Sequence, residues 1–132
     1  MVGDILWNPR PDWRETTEIG RFMNWLRDER GVQLRDYDEL WQFSVTDLEG
    51  FWGGLWYFYG IRASTPYERV LGERTMPGAQ WFAGARLNYA EHLVGTEEDR
   101  DRVAVVARSQ TRPPRELTFW ELRELAGRVR AG

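Results

Sequence analysis

Arg62, Arg69 and Arg86 come nearest to a ligand site by type and spacing, because guanidinium groups flanking a Pro/Gly-broken stretch can grip a phosphate through paired hydrogen bonds. Solvated surface arginines are the competing expectation. His92, the single histidine, belongs to the residue type suited to proton transfer near neutrality. No Asp or Ser partner is legible beside it, so a place on a helix surface is expected. Glu97, Glu98, Asp99 and Asp101 crowd carboxylates together. They lack the glycine that a calcium loop carries at its sixth position, and a solvated turn is the expectation.

The absences are sharper. All 18 basic residues are arginine, since the chain contains no lysine. That removes a phosphate-loop lysine, a Schiff-base lysine and a lysine general base from this polypeptide. No G-x-x-x-x-G-K-[ST], no G-x-G-x-x-G and no nucleophile-plus-base pattern occurs. Without cysteine there is neither a disulfide framework nor a thiolate zinc site. No catalytic, cofactor-binding or metal-binding residue is therefore assigned within these 132 residues.

Charge and hydropathy narrow the partners. A net charge of −3 gives no drive toward nucleic acid or an acidic membrane surface. No apolar run approaches the roughly 20 residues of a bilayer span. Met1-Val2-Gly3-Asp4 lacks the basic start and apolar core of a secretory signal. A soluble, cytoplasmic protein with no nucleic-acid or membrane partner is expected.

The positioning elements are mostly helical. Trp7, Pro9, Pro11 and Trp13 suggest an extended arm over the first dozen residues. Ile19, Phe22, Met23 and Leu26 recur at helical spacing between Thr17 and Arg30, with Gly31 as a C-terminal stop. Asp36 and Glu39 have N-cap and N3 spacing for a second helix, whose apolar face is Tyr37, Leu40 and Trp41. Thr46 and Glu49 repeat that spacing and predict a third helix. Leu48, Phe51, Trp52, Leu55, Trp56 and Tyr59 form its continuous aromatic stripe. With no basic residue between Thr46 and Gly60, packing is expected of this stripe rather than a membrane surface. Gly53 and Gly54 lie on the other side and allow another segment to approach closely.

Residues 62–80 read as loop, and Arg86 to Val94 as a short helix closed by Gly95. The run Arg102-Val103-Ala104-Val105-Val106-Ala107 is the strongest strand signal, with Glu116-Leu117-Thr118-Phe119 as its hairpin partner. Thr118 and Glu121 then cap a last helix carrying Trp120, Leu122, Leu125 and Val129. A strand-turn-strand-helix in this place reads as the beginning of an α/β domain.

Between Met76 and Glu91, Gly78 and Gly84 bracket Trp81 and Phe82, so the backbone can turn on each side while the two rings anchor. The rings are expected to fasten the helical region onto the domain that follows.

Three segments together resemble the N-terminal region of short-chain acyl-CoA synthetases of the adenylate-forming superfamily. They are Tyr37-Asp38-Glu39-Leu40-Trp41-Gln42-Phe43-Ser44-Val45 with Phe51-Trp52 and Leu55-Trp56; Gly78-Ala79-Gln80-Trp81-Phe82 with Gly84 to Glu91; and Leu117-Thr118-Phe119-Trp120-Glu121-Leu122. The Arg86-Leu87-Asn88-Tyr89-Ala90-Glu91 wording is similar to that of acetoacetyl-CoA synthetases. Phe43 departs from a usual tryptophan, Ala83 from a proline and His92 from an asparagine. These are packing changes.

The resemblance implies an α+β chain. A mainly helical region over 1–95 would be followed, over 96–132, by a β-hairpin and helix that begin an AMP-binding domain. It implies a ligase in which a carboxylate attacks the α-phosphate of Mg-ATP and the coenzyme A thiol then displaces AMP. The family's phosphate-binding loop, lysines and metal-binding groups lie downstream, so the chain alone is expected to be inactive, with the remainder of the synthetase as its partner. Two other classes stay open: a Trp-rich interaction module, and a truncated regulatory paralogue of the enzyme.

Overall fold

The computed structural model describes residues 7–132. They divide into two compact units, one comprising the described part of Met1–Ile61 with Pro66–Ala85, the other Arg62–Thr65 with Arg86–Gly132.

The first unit is a helical cluster with a small two-stranded sheet. Helix α1 (Trp13–Thr16) runs almost directly into α2 (Glu18–Arg30). The expected extended arm thus ends in a helical turn at Trp13, while Trp7 is exposed and the arm's first six residues lie outside the described region. Thr17 makes the corner: its hydroxyl donates to Trp13 O (2.7 Å) and accepts from the Gly20 N–H (3.1 Å). Helix α2 stops as expected at Gly31, whose φ of +68° suits a residue without Cβ.

Helix α3 (Tyr37–Thr46) is capped by Asp36, which accepts from Glu39 N–H at 2.9 Å. The Glu39 carboxylate reaches back one residue beyond a capping box, to the Arg35 N–H at 2.7 Å. Of the expected apolar face, Leu40 is buried, whereas Tyr37 and Trp41 are exposed. Helix α4 (Leu48–Phe58) begins at a different cap from the one expected. Thr46 still belongs to α3 and donates its hydroxyl to Gln42 O (2.8 Å), while Asp47 accepts from the Gly50 N–H (2.9 Å). A one-residue junction leaves Thr46 no room to leave its helix, and Asp is the stronger cap.

Helix α4 is packed on more than its aromatic stripe. A Cβ on Gly54 would sit 3.2 Å from Leu26, and one on Gly53 3.2 Å from Val70. The glycine side is thus where α2 and the sheet approach, and both glycines are buried. Phe22, Met23, Leu26 and Leu40 form the core, with Phe43, Phe51, Leu55 and Phe58 against it. Each such buried side chain contributes about 1.5–3 kcal/mol.

Residues 62–80 are not all loop. Strand β1 (Arg69–Leu71) pairs antiparallel with β2 (Trp81–Ala83), Arg69 opposite Ala83 and Leu71 opposite Trp81. Three-residue strands carry too little alternation to stand out in a sequence. They form because Val70 and Leu71 bury against the unit. The Trp81 and Phe82 rings meet Trp52 (5.5 Å between centroids), Trp56 (4.7 Å) and Tyr67 (5.4 Å), all in this same unit. The ring partners of Trp81 and Phe82 are thus α4 and Tyr67 of their own unit.

The second unit contains α5 (Tyr89–Leu93), a 3-10 turn (Glu97–Asp99), the hairpin β3 (Val103–Ala107) and β4 (Arg115–Thr118), and α6 (Phe119–Ala131). Helix α5 is shorter than expected because Asn88 caps it, accepting from the Ala90 N–H. Arg86 instead lies extended and bridges Thr65. The hairpin pairs Val105 with Leu117, Val106 with Glu116 and Ala107 with Arg115. Thr118 and Glu121 form the expected reciprocal capping box at α6. The first free N–H groups of α6 are met by backbone: Phe119 donates to Arg102 O (3.0 Å) and Trp120 to Arg100 O (3.1 Å). No residue of this unit is buried, and Val103, Val106, Leu125 and Val129 face solvent.

Candidate functional site

The sequence-level candidates turn out to be occupied as structural ties. Arg62 donates from its guanidinium to Glu91 O, with its Nε 4.0 Å from the Glu91 carboxylate. Its backbone N–H donates to His92 Nε2 at 2.9 Å. An imidazole nitrogen that accepts cannot carry a proton, so the hydrogen of neutral His92 is on Nδ1, 3.2 Å from Asn88 O. His92 thereby holds residue 62 to α5. This is local fastening. Arg69 lies on β1 of the first unit and Arg62 and Arg86 in the second, where Arg62 is already committed to Glu91.

The acidic turn behaves as a solvated turn with caps. Asp99 accepts from the Thr96 N–H (3.0 Å) and hydroxyl (3.1 Å) and pairs with Arg102. Glu97 bridges Arg100 (2.9 Å) and Arg123 (3.1 Å), tying the turn to α6. Among the described residues, no group of three or more His, Asp or Glu side chains is placed to hold a metal ion.

The Thr96 bonds and Arg102 hold the Asp99 carboxyl below its ordinary 3.8. A depressed carboxylate adds stability that is complete above the ordinary value and fades as pH falls through the lowered one. We therefore expect the Thr96 amide proton resonance to move steeply only below about pH 4. In Asp99→Asn the resonance should be displaced already at neutral pH and flat on acidification. A pH-independent Thr96 resonance in the unsubstituted chain would contradict this.

In the first unit, the aromatic cluster is tied internally. Tyr67 donates to the Tyr57 hydroxyl at 3.2 Å. Burial, then this bond, pushes its phenol up to about 12, so it stays neutral. Arg30 lies over the Tyr57 ring at 4.7 Å. A cavity of about 250 Å³ opens between Ile19, Phe22, Tyr37, Leu40, Trp41 and Tyr59, with an almost wholly apolar lining. One region escaped attention at the sequence level: the β3–β4 connection, where Arg108, Arg112 and Arg115 line a cavity of about 730 Å³. The signal available was a 13-residue stretch, 103–115, without a single acidic residue.

Residues 37–93 match the family described as acetyl-coenzyme A synthetase N-terminus. Acetoacetyl-CoA synthetase of Danio rerio is 38% identical over 93% of this chain. Over nearly its whole length the chain is similar to the N-terminal region of acyl-CoA synthetases. The solved acetoacetyl-CoA synthetase from Streptomyces lividans superposes with a TM-score of 0.84 and 40% identity, over 98% of this chain and 21% of that one. Malonamoyl-CoA synthetase of Penicillium aethiopicum is 32% identical over 98% of the chain. The chain spans about 18% of the length of the curated acyl-CoA synthetases it matches. Helices with two small antiparallel sheets are thus compatible with the N-terminal part of that solved enzyme. No helix among the described residues is long and apolar enough to cross a membrane.

Proposed function

We propose that this chain is the N-terminal part of an ATP-dependent acetoacetate–CoA ligase, which converts acetoacetate, ATP and CoA to acetoacetyl-CoA, AMP and diphosphate. The observation that carries this is the identity of 38–40% to acetoacetyl-CoA synthetases over more than nine-tenths of the chain. Residues 1–95 are the helical N-terminal region and 96–132 the start of the AMP-binding domain. The family match ending at Leu93, where α5 ends, supports this division.

ATP, magnesium and CoA are used by the parent enzyme downstream of these residues. Charge developing on the α-phosphate needs a donor-rich loop, a metal ion and cationic side chains aimed at it. This chain supplies no phosphate loop and no lysine. Its part is to fold around the aromatic cluster and to begin the catalytic domain. The remainder of the synthetase is its partner, and the setting is cytoplasmic.

Two arms test the proposal. The chain alone, given acetoacetate, ATP and CoA, should release no diphosphate. Grafted in place of the matching segment of the Streptomyces lividans enzyme, it should retain acetoacetate-dependent release. Sustained turnover by the chain alone, or a folded chimera that activates malonamate and not acetoacetate, would overturn the assignment.

A further inference from the structure

We propose that the β3–β4 connection is a binding site for a small molecule carrying a diphosphate or longer polyphosphate group. The inference does not depend on the acyl-CoA synthetase reading. Arg108, Arg112 and Arg115 line one concavity of about 730 Å³, together with Ser109 and Thr111. That volume lies in the range of small-molecule sites, roughly 300–1,000 Å³.

The charge there is uncompensated. None of the three guanidiniums meets a carboxylate among the described residues, although eight other arginines do. The acidic residue nearest in sequence, Glu116, is paired with Val106 on the ladder next to the Ala107–Arg115 pair. Adjacent strand residues point to opposite faces, which turns Glu116 away from Arg115. Three like charges held to one concavity repel one another, and an anion seated between them removes that cost.

Guanidinium forks match phosphate oxygens two at a time, and a diphosphate offers enough oxygens for all three. The Ser109 and Thr111 hydroxyls, 3.2 Å apart, add donors at the same rim. Pro113 and Pro114 fix the backbone between Arg112 and Arg115, which limits the ordering needed on binding. A compact multivalent anion suits this concavity better than an extended acidic peptide, which would need a longer basic track than one hairpin connection provides.

The test is a titration of the 132-residue chain followed by amide resonances, at matched ionic strength, with inorganic diphosphate, ATP, inorganic monophosphate and a hexaglutamate peptide. Saturable shifts confined to residues 107–117 are expected with diphosphate and ATP, and weaker ones with monophosphate. Stronger binding of ATP than of diphosphate would place the nucleotide, rather than the bare anion, as the ligand. The triple variant Arg108→Gln, Arg112→Gln, Arg115→Gln should weaken binding about tenfold, since it removes all three guanidinium forks from the concavity. Its circular dichroism should be unchanged, because these side chains hold no other element. Shifts that are scattered or grow linearly with anion concentration without saturating, or hexaglutamate binding as tightly as diphosphate, would overturn the proposal.

Discussion

Gly20→Ala should unfold the first unit at a temperature about 10 °C or more below the unsubstituted chain, corresponding to a loss of roughly 3 kcal/mol. A Cβ at position 20 would lie 2.2 Å from Arg14 O and 2.3 Å from its Cα. Both are backbone atoms of α1, so no side chain can swing aside. The α1–α2 corner must open, and Arg14 is the residue it displaces. Its guanidinium donates to Leu34 O, and its carbonyl accepts from Asn24 Nδ2 at 3.3 Å. Opening the corner therefore loosens α1, α2 and the approach to α3 together. Alanine's better helix propensity returns only about 1 kcal/mol. Gly127→Ala is the internal control: it lies in α6, a Cβ there meets nothing within 4 Å, and the same propensity should stabilise by up to about 1 kcal/mol. Thermal unfolding followed by tryptophan fluorescence reads both. Equal and small effects at the two positions would show that the corner relaxes without cost.

Gly95→Ala should be comparably damaging in the second unit, for two separate reasons. Gly95 has φ +68°, a conformation costing an alanine roughly 1–2 kcal/mol. Its Cβ would also stand 2.7 Å from Phe119 Cδ1 and 3.2 Å from Asp99 Cβ. Phe119 opens α6 and donates its N–H to Arg102, so moving it disturbs the helix start and the hairpin at once. The total expected is about 2–4 kcal/mol. A unit with no buried side chain of its own has little stability to lose. Amide exchange should show residues 96–131 losing protection in Gly95→Ala while residues 18–58 keep theirs. Unchanged protection in 96–131 would refute the argument. Gly95→Asn separates the two causes, since Asn tolerates positive φ yet still carries the Cβ.

The helices were legible because their signals are local. Thr17, Asp36 and Thr118 are caps whose side chains reach only a few residues along, and Gly31 ends α2 where a left-handed residue was needed. The apolar spacing of Phe22, Met23 and Leu26 likewise told which face of α2 would be inside. The absence of lysine and cysteine was equally plain, because residue types that are missing cannot be supplied by folding. What misled was competition between neighbouring signals. Thr46 and Asp47 both offer a cap, and only the end of α3 decides between them. On α4 the aromatic residues suggested one buried stripe, yet Gly53 and Gly54 face partners just as close.

By itself, then, the sequence determined the caps of α3 and α6, the stop of α2 at Gly31, the hairpin and final helix, and the family resemblance. Each follows from short-range capping, periodicity or residue type. Tertiary structure alone decided the β1–β2 pairing, the ring partners of Trp81 and Phe82, the fastening role of His92 and the convergence of Arg108, Arg112 and Arg115. Pairing between residues 69 and 83, or between 62 and 92, depends on chain closure over many residues. No local propensity encodes that closure; burial of Val70 and Leu71 and satisfaction of backbone hydrogen bonds select it.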